Sequence, residues 1–111
     1  MISSLEKLIG TARDGALLRY SLGLEYAKAG DHARAAQYLR DAVERDAQYS
    51  AAWKALGRSL AEAGRSDEAI DAYRRGIAAA RTKGDRQAEK EMTVFMKRLE
   101  RAGRGPGQDR K

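Results

Sequence analysis

The chain has 111 residues, no cysteine, one proline and a formal net charge of +6 at pH 7. Without cysteine there is no disulfide framework and no thiolate metal site, and this length predicts a single domain. The first residues lack the positive start and apolar run of a signal peptide, and no stretch approaches the ~18 apolar residues of a membrane span. We therefore expect a cytoplasmic protein with no membrane partner.

The first predicted element is a short helix over residues 3–12. Ser3 is followed three residues later by Glu6, which is a capping-box pattern at a helix start. Leu5, Leu8 and Ile9 then follow at helical spacing. Because so short a helix is marginal alone, we expect it to dock on the helices that follow.

Residues 16–49 and 50–83 form two units of the same pattern. Each unit is predicted to contain two helices, with Gly30 or Gly64 ending the first helix of its unit. A 34-residue period built from two short helices indicates a stacked helical repeat. Four residues of the first unit recur 34 positions later, and the matching pairs are Leu22 with Leu56, Gly23 with Gly57, Gly30 with Gly64, and Ala35 with Ala69.

The second unit resembles the tetratricopeptide repeat family, and the resemblance extends over residues 16–83. It implies an all-α fold, a superhelix of stacked antiparallel helix hairpins with about six helices, in one domain over residues 1–102. Residues 3–12 would then cover the open edge of the first repeat. The residues that match the family pattern are Trp53, Leu56, Gly57, Leu60, Ala69 and Tyr73.

After the second unit, residues 85–102 carry one apolar face at helical spacing but lack the Leu-Gly pair of a further repeat. We predict a capping helix, because stacked arrays shield their last hairpin with a terminal helix. Its apolar side chains should be buried against the second hairpin rather than left for a ligand. From Gly103 onward no apolar residue remains to be buried, so residues 103–111 are predicted to be a disordered basic tail. The residues of the apolar face are Ala88, Met92, Phe95, Met96, Leu99 and Ala102.

Catalytic chemistry is disfavoured by the residue inventory. His32 is the only histidine, so neither a metal site nor a Ser-His arrangement can be assembled around it. Ser50 and Ser66 are interpreted as helix N-caps. We therefore predict a protein that is not an enzyme and that needs no metal and no cofactor.

The resemblance does imply a binding surface, because the first helix of each repeat in this family lines a concave groove that receives partner peptides. The groove wall would be apolar and aromatic in the first repeat and mostly basic in the second, which suits a partner with apolar and acidic groups. In the alternative, Leu17 and Leu24 contact the N-terminal helix. The groove positions are Leu17, Tyr20, Leu24, Ala27 and Lys28 in the first repeat, and Ala51, Lys54, Arg58, Ala61 and Glu62 in the second.

Some family members bind a C-terminal carboxylate with one lysine and two asparagines. Tyr20, Leu24 and Ala55 occupy those places here. That mode of binding is therefore not expected in this chain.

Three functions follow as hypotheses. The first is a non-catalytic protein-interaction adaptor or scaffold that binds a peptide segment. The second is self-association into a homo-oligomer, because two repeats are fewer than the three or so that a stable array usually needs. The third, nucleic-acid binding through the basic second half and tail, is disfavoured because Trp53 and Tyr73 are expected in the core and the tail has no aromatic residue.

Overall fold

The computed structural model describes residues 2–108, with side chains described up to Gly103. Within this range all regular structure is helical and there is no strand, which confirms the predicted all-α class. The described part is elongated, with extents of 53 × 31 × 18 Å. The helices are α1 (Ile2–Glu6), α2 (Ala16–Lys28), α3 (His32–Arg45), α4 (Ser50–Glu62), α5 (Ser66–Lys83) and α6 (Arg86–Gln108).

Helices α2 and α3 form one hairpin, and α4 and α5 form the next. Gly30 and Gly64 stand in the two hairpin turns with φ angles of +83° and +79°, in the left-handed region that favours glycine. Gly84 closes α5 in the same way, with a φ of +73°. The helix ends are therefore encoded by residues that tolerate a left-handed backbone.

The core runs along the inside of the hairpins as a continuous row of apolar side chains. Neighbouring helices approach each other closely where one of them carries a glycine in place of a larger residue. A Cβ built on Gly57 would lie 2.5 Å from Cε1 of Tyr73, and one built on Gly76 would lie 2.5 Å from the sulfur of Met92. The fully buried large side chains are Leu22, Leu39, Leu56, Leu60 and Met92.

The N-terminal segment differs from the prediction. The helix predicted over residues 3–12 begins at Ile2 and ends at Glu6, and turns follow it up to Gly15. The carboxylate of Glu6 accepts hydrogen bonds from the hydroxyl groups of Tyr26 (2.8 Å) and Tyr38 (3.0 Å). Through these two hydrogen bonds, Glu6 holds α1 against the first hairpin, whereas the sequence predicted a capping box within α1.

The C-terminal segment also differs. Helix α6 extends to Gln108, six residues past the boundary predicted at 102, and residues 109–111 of the predicted tail lie outside the described residues. The extension contains three glycines and Pro106, which are poor helix formers, so helix propensity gave no signal for it in the sequence.

The predicted serine caps are not formed. Ser50 and Ser66 are the first helical residues of α4 and α5, and the N-cap positions are held by Tyr49 and Arg65 without a side-chain cap. Ser50 is instead buried, where its hydroxyl lies 3.3 Å from Oδ2 of Asp85. Asp31, in contrast, caps α3 by accepting a hydrogen bond from the backbone N–H of Arg34.

Candidate functional site

Helices α2, α4 and α6 lie side by side on one face of the described structure, with α4 in the middle. We call this surface the α2–α4–α6 face. It contains two cavities, one on each side of α4, and Arg58 and Glu62 line both of them. The two cavities therefore adjoin each other and form one continuous depression in the surface.

The first cavity lies between α2 and α4 and has a volume of about 600 Å³. It brings together five of the predicted groove residues, three from the first repeat and two from the second. His32, the first residue of α3, also lines it, and among the described atoms its buried Nδ1 has no hydrogen-bond partner. The residues that line this cavity are Leu24, Glu25, Ala27, Lys28, His32, Ala55, Arg58, Ser59 and Glu62.

The second cavity lies between α4 and α6 and has a volume of about 320 Å³. Its floor is the ring of Tyr73, which is buried and lies 5.8 Å from the ring of Phe95. Burial raises the pKa of Tyr73 to about 12. The residues that line this cavity are Arg58, Ala61, Glu62, Tyr73, Phe95, Arg98 and Leu99.

The sequence predicted Lys54 in the wall of the groove, but in the structure its side chain contacts α6. Its Nζ donates a 2.8 Å hydrogen bond to Oε1 of Glu91 on α6, so its charge is already paired. The hydrogen bond from Lys54 also lowers the pKa of the Glu91 carboxyl. Lys54 therefore joins the capping helix to the second repeat, and it lines neither cavity.

Leu17, Tyr20 and Ala51 also line neither cavity. Leu17 is 68% exposed, so it is not buried beneath the N-terminal helix. Tyr20 packs on Tyr49, with the ring centroids 4.9 Å apart. Its aromatic face is thus used within the protein, and the apolar wall of the first cavity comes from Leu24 and the neighbouring alanines.

The charges around the cavities leave two guanidinium groups without a partner in the described part of the chain. Lys28 pairs with Glu25 at 3.1 Å, whereas Arg58, Arg98 and Glu62 have no ion-pair partner within 4.0 Å among the described residues. Arg58 and Arg98 are both exposed to solvent. The face therefore presents two unpaired cations and one unpaired anion beside an apolar floor.

Comparison with known proteins agrees with this arrangement of hairpins. The model of the tetratricopeptide repeat family matches residues 20–83, which is more than half of the chain. The chain belongs to the tetratricopeptide repeat family. Its fold is accordingly one that generally mediates protein–protein interaction, and proteins of this family are generally non-catalytic scaffolds.

Relatives that share this tetratricopeptide repeat architecture extend over almost the whole chain. A TPR repeat-containing protein of Pseudomonas aeruginosa is 51% identical over 102 residues, which cover 92% of this chain and 97% of that protein. The solution structure of a Bordetella parapertussis protein is 37% identical, with a TM-score of 0.81, and covers 96% of this chain and 93% of that one. A tetratricopeptide repeat domain protein of Salinibacter ruber is 30% identical, with a TM-score of 0.72, over 78% of this chain and 88% of that one. The flanking helices are thus shared with relatives, in addition to the repeats.

Among the described residues, no helix has the combination of length and apolar character needed to span a membrane. Within the same range, no three His, Cys, Asp or Glu side chains are grouped so that they could hold a metal ion.

Sequence reasoning missed the contribution of α6 to the α2–α4–α6 face. Met92 is fully buried as predicted, but Phe95 and Leu99 are only half-buried and line the second cavity. A terminal helix has a neighbour on one side only, so part of a broad apolar stripe stays accessible. Two features of the sequence indicate this contribution of α6: its apolar stripe is broad, and Arg98 lies beside that stripe.

Proposed function

We propose that this protein is an adaptor whose α2–α4–α6 face binds a short segment of a partner protein. The observation that carries the proposal is the pair of neighbouring cavities, which have apolar floors and share Arg58, a residue with no ion-pair partner among the described residues. Concave, mostly apolar sites with a few placed polar groups are the usual form of a binding site. The family's general role in protein–protein interaction supports the same function.

The charge pattern favours a partner segment that contains apolar and acidic groups. Apolar side chains would enter the cavities beside Leu24 and Phe95, and a carboxylate would meet Arg58. Arginine suits this role because its planar guanidinium can donate two parallel hydrogen bonds to one carboxylate. Glu62 beside it disfavours a segment with a continuous run of acidic residues.

Selection from a random-peptide display library on the immobilised protein tests this function. We expect enriched peptides that bind the parent protein, bind the Arg101→Glu variant equally well and fail to bind the Arg58→Glu variant. Arg101 is a matched control, because it is exposed, lies on α6 and lines neither cavity. Circular dichroism should show equal helicity for all three proteins. Binding that survives Arg58→Glu with helicity unchanged would move the site to another surface.

Self-association is the second candidate, and the surface gives it less support. Among the described residues, the large apolar side chains that are well exposed are Leu17 at 68% and Val94 at 48%, on different helices. Single exposed apolar residues are ordinary features of a protein surface. Sedimentation over a range of concentrations separates the candidates, since a monomer at every concentration leaves only the adaptor function.

A further inference from the structure

The two cavities lie on opposite sides of one helix, and this fixes the distance between their floors. Packed helices lie about 8–10 Å apart, so side chains that fill both cavities must be separated by about one such spacing. The first cavity holds Leu24 and Ala55, and the second holds Phe95 and Leu99. A ligand that uses both cavities therefore needs two apolar side chains that point the same way and stand about one helix spacing apart.

An extended segment of polyproline-II form meets this requirement at one sequence spacing. Such a segment rises about 3.1 Å per residue and has three residues per turn, so residues i and i+3 point in the same direction about 9 Å apart. A β-strand has a period of two, so its residues i and i+3 point to opposite faces. An α-helical ligand would need residues i and i+7, because its rise is only about 1.5 Å per residue.

The charge at the junction limits the ligand to a single acidic group. The unpaired charges of the described residues that line the cavities are the guanidinium groups of Arg58 and Arg98 and the carboxylate of Glu62. Their sum is one positive charge, because Lys28 is paired with Glu25. One carboxylate of the ligand neutralises this sum, whereas a second one would be left beside Glu62 without a cationic partner.

We propose that the α2–α4–α6 face recognises an extended segment with apolar residues at positions i and i+3 and one Asp or Glu at i+1 or i+2. This proposal rests on the proposed function and adds the chemistry and spacing of the partner. The residue at i fills one cavity and the residue at i+3 fills the other. The carboxylate lies over the top of α4, where Arg58 and Arg98 donate hydrogen bonds to it.

The test is the sequence pattern of peptides selected from a random display library by the parent protein and by the Arg58→Met, Arg98→Met double variant. Methionine keeps an apolar stem of similar length and removes the charge. We expect the parent to select the apolar pair at i and i+3 with one acid between them, and the double variant to keep the apolar pair and lose the acid. The Arg101→Met control should select the same pattern as the parent.

Affinities of one selected synthetic peptide then check each part of the pattern. On the parent protein, replacing the acidic residue by its amide should weaken binding about tenfold or more, since hydrogen bonds between charged groups are the strong ones. On the double variant the same replacement should change affinity less than about twofold, because the partners of the carboxylate are gone. Replacing either apolar residue by alanine should weaken binding to both proteins.

Different results overturn different claims. Peptides that lose binding with Arg58→Glu but carry apolar residues at i and i+7, or show no preference for an acid, would refute the extended single-acid segment and leave the proposed function standing. Peptides that bind the Arg58→Glu variant as well as the parent would refute the proposed function itself. A pattern with two or more acids would contradict the charge argument built on Glu62.

Discussion

Lys54 of α4 donates a 2.8 Å hydrogen bond to Glu91 of α6, and this pair joins the second repeat to the capping helix. The hydrogen bond lowers the pKa of Glu91, so the folded protein binds fewer protons at this site than the unfolded chain. The pair therefore stabilises the fold above about pH 4.3, the ordinary pKa of a glutamate, and this contribution is lost as the pH falls below it.

Replacing Lys54 by methionine should accordingly lower the free energy of unfolding at pH 7 and have a smaller effect at pH 3. Urea denaturation at the two pH values measures this difference. Lys90→Met is the matched control, since Lys90 is exposed on α6 and has no ion pair among the described residues. A pH-independent effect of Lys54→Met would show that the substitution does not act through the ion pair with Glu91.

The same pair changes the design of charge-reversal experiments on the α2–α4–α6 face. A glutamate at position 54 would stand beside Glu91 and repel α6, so it would disturb the fold together with binding. Arg58 makes no such pair among the described residues, so its reversal tests binding alone. Exposed substitutions of this kind usually change stability by about 0.5 kcal/mol or less.

The Leu-Gly pair that identified the repeat has a direct physical role in the second hairpin. A Cβ at position 57 would lie 2.5 Å from Cε1 and 2.7 Å from Cδ1 of Tyr73. We expect Gly57→Ala to destabilise the protein despite the gain of about 1 kcal/mol in helix propensity, because overpacking costs about 1–3 kcal/mol. Gly57→Leu should unfold the second hairpin.

Gly103→Ala provides the control for this prediction. It lies in α6 with nothing within 4 Å of an added Cβ, so it should be neutral or slightly stabilising. Thermal melting of the three variants measures the order of stability. If the melting temperature of Gly57→Ala equals or exceeds that of Gly103→Ala, the closest contact of the hairpin lies elsewhere.

Tyr73 makes stability depend on alkaline pH. Its pKa is raised by burial to about 12, so the folded state keeps the proton that the unfolded chain releases near pH 10. The contribution of Tyr73 is complete below pH 10 and is lost as the pH rises towards 12. From pH 9 to 11 the parent should lose about 1 kcal/mol more stability than Tyr73→Phe.

Denaturation at the two pH values measures this effect, and tyrosinate absorbance gives an independent check. Tyr73 should titrate near pH 12 in the parent, and this contribution to the absorbance should be missing in Tyr73→Phe. Equal losses of stability in the two proteins would mean that water reaches the Tyr73 hydroxyl through the second cavity.

Truncations separate the packed part of the C-terminal segment from its end. Deleting residues 85–111 removes the buried Ala88 and Met92 and should expose an apolar face, so the product should aggregate. Deleting residues 103–111 removes no residue of the hydrophobic core cluster and should leave the melting temperature nearly unchanged. Equal behaviour of the two truncations would contradict the role of α6 as a cap.

The hairpins and the capping helix were predictable because their determinants are local. The Leu-Gly spacing and the glycines at the turns fix each hairpin, and both are visible in the sequence. Glu6 was misassigned because its carboxylate meets Tyr26 and Tyr38, which lie 20 and 32 residues away. Hydrogen bonds across such separations leave no periodic signal.

The candidate site was predictable in part for the same reason. Leu24, Lys28, Arg58 and Glu62 line the cavities because their positions follow from the repeat. Lys54 and Tyr20 do not, because each finds a partner, Glu91 or Tyr49, that only the packed structure brings close. The role of Arg98 depends on how far α6 covers the second hairpin, which helical spacing alone does not specify.

Amide chemical-shift mapping with a selected peptide locates the bound segment on the protein surface. We expect saturable shifts of the backbone amides of Leu24, Ala55 and Arg58, and of Phe95 and Leu99 on α6. Residues on the opposite side, such as Arg40 and Arg75 beside the acidic surface of α5, should not respond. Shifts confined to that opposite side, with Arg58 and Phe95 unchanged, would contradict binding on the α2–α4–α6 face.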